Sequence, residues 1–175
     1  MCAGREWAAH VDLLNHGTDI LGNIANCKLP QVSCVIPDGA WSDHAGPATT
    51  ALPYGLSWVA AVINAHRQQP IYWENTAVLV TWDDWGGWSD NQSADVPGHL
   101  PCVFMNPPTR CPSDYQYGFR VPLLVVSAYT PQGYISNTPF DFGGIPRTIE
   151  GINHLKEGMT FNTARSQRDL HAFFL

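Results

Sequence analysis

An α/β fold, with a mostly parallel sheet flanked by helices, is what the sequence predicts, on three observations. Gln31 to Gly39 (QVSCVIPDG) is a β-branched run ending in Pro-Asp-Gly, the profile of a buried strand that hands an acidic residue to a loop. Ala77 to Trp82 (AVLVTW) is a continuous apolar run of the kind a strand covered on both faces shows. A helical pattern lies between the two, so strand, helix and strand read as a βαβ unit.

In chain order, residues 5 to about 26 carry Trp7, Val11, Leu13, Leu14, Ile20, Leu21 and Ile24 at mixed spacing and predict one or two short helices. The first strand follows, then the turn-rich loop AWSDHAGPATTALPY. Gly55 to His66 places Trp58, Val59, Val62 and Ile63 on neighbouring faces of a helix, before the strand at Ala77. The long irregular stretch from Gly86 to Gly118 is of a length that in a compact domain goes with function. A third strand is expected within RVPLLVVSAY, with Pro122 near its start, where a missing N–H is tolerated. Helices close the chain at Ile145 to Leu155 and Ala164 to Phe173.

A chain of 175 residues with 45% hydrophobic and 14% charged residues is long and apolar enough for one domain over 1–175. The net charge of -6 and nine scattered basic residues exclude nucleic acid as the main partner, because phosphate backbones are bound by clustered Lys and Arg. The five cysteines lack zinc-ligand spacing. Cys102 and Cys111 bracket a Pro-rich loop and read equally well as a disulfide or as buried thiols. No stretch reaches the ~18 apolar residues of a membrane span, and MCAGREWAAH lacks the basic-then-apolar pattern of an export signal.

The chemistry gathers where strands end. Asp38, with Asp43 and His44 shortly after it, lies beyond the first expected strand, and Asp83 and Asp84 lie beyond the second, so a parallel sheet would bring them to one edge. Adjacent carboxylates repel unless a cation neutralises them, and oxygen ligands with a histidine suit a hard or borderline divalent ion. Taken singly, an Asp pair after a strand also reads as a helix N-cap with a solvated neighbour, and Trp82, Trp85 and Trp88 as packing.

LPQVSCVIPDGAWSDHAGP, WENTAVLVTWDDWGGWSD and GFRVPLLVVSAY resemble, in order and spacing, the C-terminal half of the bacterial phosphoesterase family. That family includes phospholipase C-type enzymes and a class of acid phosphatases within the alkaline phosphatase superfamily, and the resemblance runs from about Asp19 to the C-terminus. It implies an alkaline phosphatase-like sheet and a metal-dependent hydrolase of phosphate esters, either phospholipids or phosphomonoesters. By the same resemblance Asp83 and Asp84 match the family's metal-binding pair, with Asp38 as a further acidic ligand and a divalent ion as cofactor. His44 is placed at the phosphate as the catalytic histidine, and Gly86 and Gly87 let backbone approach the substrate. Members are often exported.

The departures carry expectations of their own. Asn91 follows Asp90 where the family continues with histidine, and Ser136-Asn137-Thr138 replaces a Ser-His-Thr segment. The family's Glu-Asn pair and its Ser or Thr nucleophile have no counterpart, so no nucleophile is identified, and the resemblance implies a domain truncated at its N-terminus. Such a sheet would expose an edge for association. The alternative is a non-catalytic α/β domain that binds metal or phosphate.

Overall fold

The computed structural model describes residues 19–37, 39, 41–42, 54–85, 90, 120–155, 166 and 168–174. The chain divides into two compact units, Met1–Thr76 and Ala77–Leu175, each of which has its own packing logic.

In the first unit, α1 (Asp19–Ala25) presents Ile20 and Ile24 one turn apart, and both are buried, Ile24 completely. They meet Val62 of α2 (Tyr54–Arg67), with Trp58 and Ala65 of the same helix, Leu21, Leu29 and Tyr72 closing around them. Trp58, Val62 and Ala65 recur at the spacing of one helical face, which is why the sequence reading of Gly55 to His66 as a helix holds to within a residue at each end. His66 shares that buried face, and its Nδ1–H donates to Val62 O at 3.0 Å. The short helix α3 (Pro70–Trp73) starts on proline, whose missing N–H costs nothing at a first turn. Its Tyr72 hydroxyl accepts the Leu29 amide at 3.0 Å, tying the chain after α1 to the core.

α1 ends in an unusual way. Lys28 N donates to Asn23 O at 2.9 Å and Cys27 N to Ile24 O at 3.1 Å, the two bonds of a Schellman cap, and Cys27 sits at φ 54° where glycine is preferred.

The expected first strand does not form. Residues 31–37 make no strand, and Val32, Val35 and Ile36 are exposed, Ile36 to 89%. A β-branched run becomes a strand only when a neighbour takes its backbone hydrogen bonds, and none among the described residues does so. Without that strand there is no βαβ unit.

In the second unit, β1 (Ala77–Thr81) and β2 (Leu123–Ser127) occur where the apolar runs predicted strands. They pair antiparallel, Ala77 with Ser127 through Thr81 with Leu123, so the expected parallel sheet is corrected to a two-stranded antiparallel ladder. Neither strand is fully buried; Leu124 is 51% exposed. A continuous apolar run reports a wish for cover and carries no information on strand direction.

α4 (Gly144–Ile152) confirms the helix expected near Ile145 to Leu155 and ends on a second Schellman cap, Leu155 N to Glu150 O at 2.8 Å and His154 N to Gly151 O at 3.1 Å, with His154 at φ 53°. The expected helix at Ala164 to Phe173 is corrected: residues 166 and 168–170 are non-helical, and only a 3-10 turn, His171–Phe173, follows. The reason lies in α4. Leu170 is fully buried, its amide donates to Thr148 Oγ1 at 2.8 Å, and the Thr148 hydroxyl in turn donates to Gly144 O at 2.7 Å. Arg147 Nη1 holds Ser166 O at 3.1 Å, and Phe173 meets the rings of Tyr134 and Phe140 at centroid distances of 5.6 and 5.7 Å. At Leu170 and Ser166 the segment bonds to the helix, while His171, Phe173 and Phe174 bond within the segment in a turn too short for an α-helix.

Candidate functional site

The acidic pair stands at the open end of the hairpin. The last paired residues are Thr81 and Leu123, and Thr81 Oγ1 donates to Pro122 O at 2.9 Å, so the two chain arms leave the ladder side by side. Asp83 and Asp84 lie just past this point on the outgoing arm, as the strand-end reading requires, and both are exposed. The Asp84 amide donates to Asp83 Oδ1 at 3.2 Å, which orients one carboxylate along its own backbone. Among the described residues neither aspartate caps a helix.

On the returning arm stands Arg120, just ahead of Pro122. Its Nε donates to Asp90 Oδ2 at 2.8 Å and its Nη2 to Asp90 Oδ1 at 3.1 Å, a two-pronged pair with directional geometry. The Asp90 side chain is 17% exposed and that of Arg120 60%, so the carboxylate is the anchored partner. Sequence reasoning gave neither residue a role. The available signal was weak: one acidic residue inside the long irregular stretch and one basic residue just after it, with no spacing rule to join them.

Asp38, Asp43, His44, Gly86 and Gly87 lie outside the described residues, as do Cys102 and Cys111. Cys27 and Cys34 are exposed free thiols. Asp83 and Asp84 supply hard oxygen donors of the kind Ca²⁺ or Mg²⁺ takes. Among the described residues no three His, Cys, Asp or Glu side chains gather into a metal-holding set. The pair therefore fits a divalent ion as part of a shell, with the remaining ligands to come from elsewhere. Among the described hydroxyls near it, that of Thr81 is committed to Pro122 O. No helix of the described residues is long and apolar enough to cross a membrane.

A model of the phosphoesterase family matches residues 7–156. A non-hemolytic phospholipase C of Burkholderia pseudomallei is 29% identical over 143 residues, which are 73% of this chain and 19% of that protein. A non-hemolytic phospholipase C of Pseudomonas aeruginosa is 26% identical over 154 residues, 75% of this chain and 20% of that protein. Phospholipase C B of Mycobacterium tuberculosis is 31% identical over 137 residues, 70% of this chain and 25% of that protein. The chain thus spans about a fifth to a quarter of the length of these relatives.

Proposed function

The chain belongs to the phosphoesterase family, and from that premise we propose that it forms the acidic, metal-holding part of a phosphoric-ester hydrolase of the phospholipase C or acid phosphatase type. The frame we infer is an alkaline phosphatase-like α/β domain, and the substrate is a phosphate ester, a phospholipid or a phosphomonoester. The observation that carries the reading is the strand-end placement of Asp83 and Asp84, side by side and exposed at the open end of a hairpin.

In this reading Asp83 and Asp84, together with Asp38, would hold a divalent ion, which when bound would supply charge neutralisation and polarisation at the phosphate oxygens. His44 stabilises the charge that builds on phosphorus-bound oxygen or protonates the leaving group. Gly86 and Gly87 bring backbone near the substrate. Titration calorimetry with calcium, manganese and zinc tests the assignment. Binding heats are expected for the wild-type chain and are lost in the Asp83→Asn, Asp84→Asn double variant; equal heats for both proteins would remove Asp83 and Asp84 from the site.

A second reading, a metal- or phosphate-binding domain without turnover, is favoured by one contact. Hydrolysis through a covalent intermediate needs a hydroxyl held ready for phosphorus. The Thr81 hydroxyl, next to the acidic pair, is spent on Pro122 O.

A further inference from the structure

We propose that Asp90 and Arg120 are a positioning pair for the acidic end of the hairpin, tying its two arms together so that Asp83 and Asp84 present their carboxylates in a fixed geometry. The part of the inference that concerns metal rests on the reading of those aspartates as ligands.

Beyond Thr81 and Leu123 the ladder stops, and the outgoing arm carries Asp83, Asp84 and then Asp90 while the returning arm carries Arg120. Backbone leaving a two-stranded ladder has few constraints, and a pair of short-stemmed carboxylates on such backbone samples many separations. Two contacts work against that freedom. Thr81 Oγ1 to Pro122 O, at 2.9 Å, closes the mouth of the ladder. Later in the chain, past the aspartates in sequence, the two bonds between Asp90 and Arg120, at 2.8 and 3.1 Å, join the outgoing arm to the returning one again. The aspartates are thus bracketed in sequence by two cross-arm ties. A guanidinium fork gripping both oxygens of a carboxylate fixes orientation as well as distance, which a single hydrogen bond or a lysine would not. Because Asp90 is the more buried partner, it is the anchor, and Arg120 is drawn to it.

Charge and position make opposite claims that experiment separates. Were the pair only a local charge effect, Arg120→Ala would make the site more acidic and tighten Mn²⁺, while Asp90→Asn would weaken it. A positioning pair predicts that both variants weaken Mn²⁺ binding, by about tenfold, the range found when residues that orient metal ligands are removed. Arg120→Lys is expected to recover part of the loss, and the exchanged pair Asp90→Arg, Arg120→Asp to recover most of it. A second readout needs no metal. In the apo chain the Asp84 amide, which donates to Asp83 Oδ1, is followed by NMR hydrogen exchange; it is expected to exchange faster in both single variants and to return toward wild type in the exchanged pair. Opposite shifts in Mn²⁺ affinity for the two single variants, or an Asp84 amide unchanged in both, would overturn the inference. If the wild-type chain gives no Mn²⁺ heat, the metal reading fails by itself, and the amide measurement still decides the positioning role.

Discussion

The hydroxyl of Thr81 donates to the carbonyl of Pro122 at 2.9 Å, a side-chain bond that extends a backbone ladder whose next acceptor follows the one residue type lacking an N–H. Pro122 has no N–H to donate but keeps its carbonyl, and the threonine hydroxyl uses that acceptor to link the two arms. Thr81→Val keeps the β-branch and removes the hydroxyl. It is expected to lower stability by about 1 kcal/mol, the usual net worth of one hydrogen bond, and Thr81→Ser to lower it less. Urea denaturation of the two variants checks the order.

Two glycines in helices are expected to respond in opposite ways to alanine. A methyl at Gly144 would meet Arg168 O at 2.9 Å, so Gly144→Ala forces the C-terminal segment off α4 and costs about 1–3 kcal/mol. At Gly22, in α1, nothing lies within 4 Å of the added carbon, and Gly22→Ala is expected to stabilise by up to about 1 kcal/mol through helix propensity. Thermal denaturation of both variants would show the opposite signs.

Cys27 and His154 occupy left-handed positions at the ends of α1 and α4. Such a backbone costs a side-chain-bearing residue roughly 1–2 kcal/mol. Cys27→Gly and His154→Gly are each expected to raise the midpoint of unfolding. A fall in both would mean that contacts of the native side chains outweigh the backbone term.

Burial pushes the Asp169 carboxyl upward, but the His171 amide and imidazole, which approach it at 3.1 and 3.0 Å, and the charges of His171 and Arg147 pull it down further, so its net pKa lies below the ordinary value of 3.8. A depressed carboxyl contributes stability that is present above its unfolded value and is lost as pH falls through the folded one. The side chain is a third exposed, so the contribution is small. Asp169→Asn is expected to be less stable than wild type at neutral pH, with the gap closing below 3.8. Denaturation at several pH values follows the gap directly.

Turnover is the last expectation. The purified chain is expected to hydrolyse p-nitrophenyl phosphate and p-nitrophenyl phosphorylcholine no faster than a metal blank, because no nucleophile is identified in it and loss of such a group commonly costs several orders of magnitude. Hydrolysis that vanishes in Asp84→Asn would refute this.

Local signals survived into the structure and non-local ones did not. Trp58, Val62 and Ala65 mark a helical face whatever it packs against, so α2 was legible, and the apolar runs at Ala77 and Leu123 named their strands. Pairing direction depends on how the chain between Thr81 and Leu123 returns, and composition is silent on that. The segment at 31–37 has strand propensity without a partner among the described residues, and the C-terminal segment was misread because Leu170 is buried with its amide on Thr148 of another element, a non-local contact that periodicity does not report. At the candidate site the position of Asp83 and Asp84 after a strand was readable from β1 alone, whereas Asp90 and Arg120 meet only because the chain doubles back.

The seating of Leu170 against Thr148 bears on where this protein can be cut. Residues 166 and 168–174 fall beyond residues 7–156, which the family model matches, yet they supply the lid of α4's buried side, the partner of its hydroxyl and the aromatic ring facing Tyr134 and Phe140. A shortened version trimmed to the shared stretch would uncover Thr148, Ser166's neighbour Arg147 and the rings together, turning one wall of the second unit into a sticky surface. The stretch that the family model matches and the folding unit are therefore of different lengths, and deletion libraries or fusion junctions should respect the longer one.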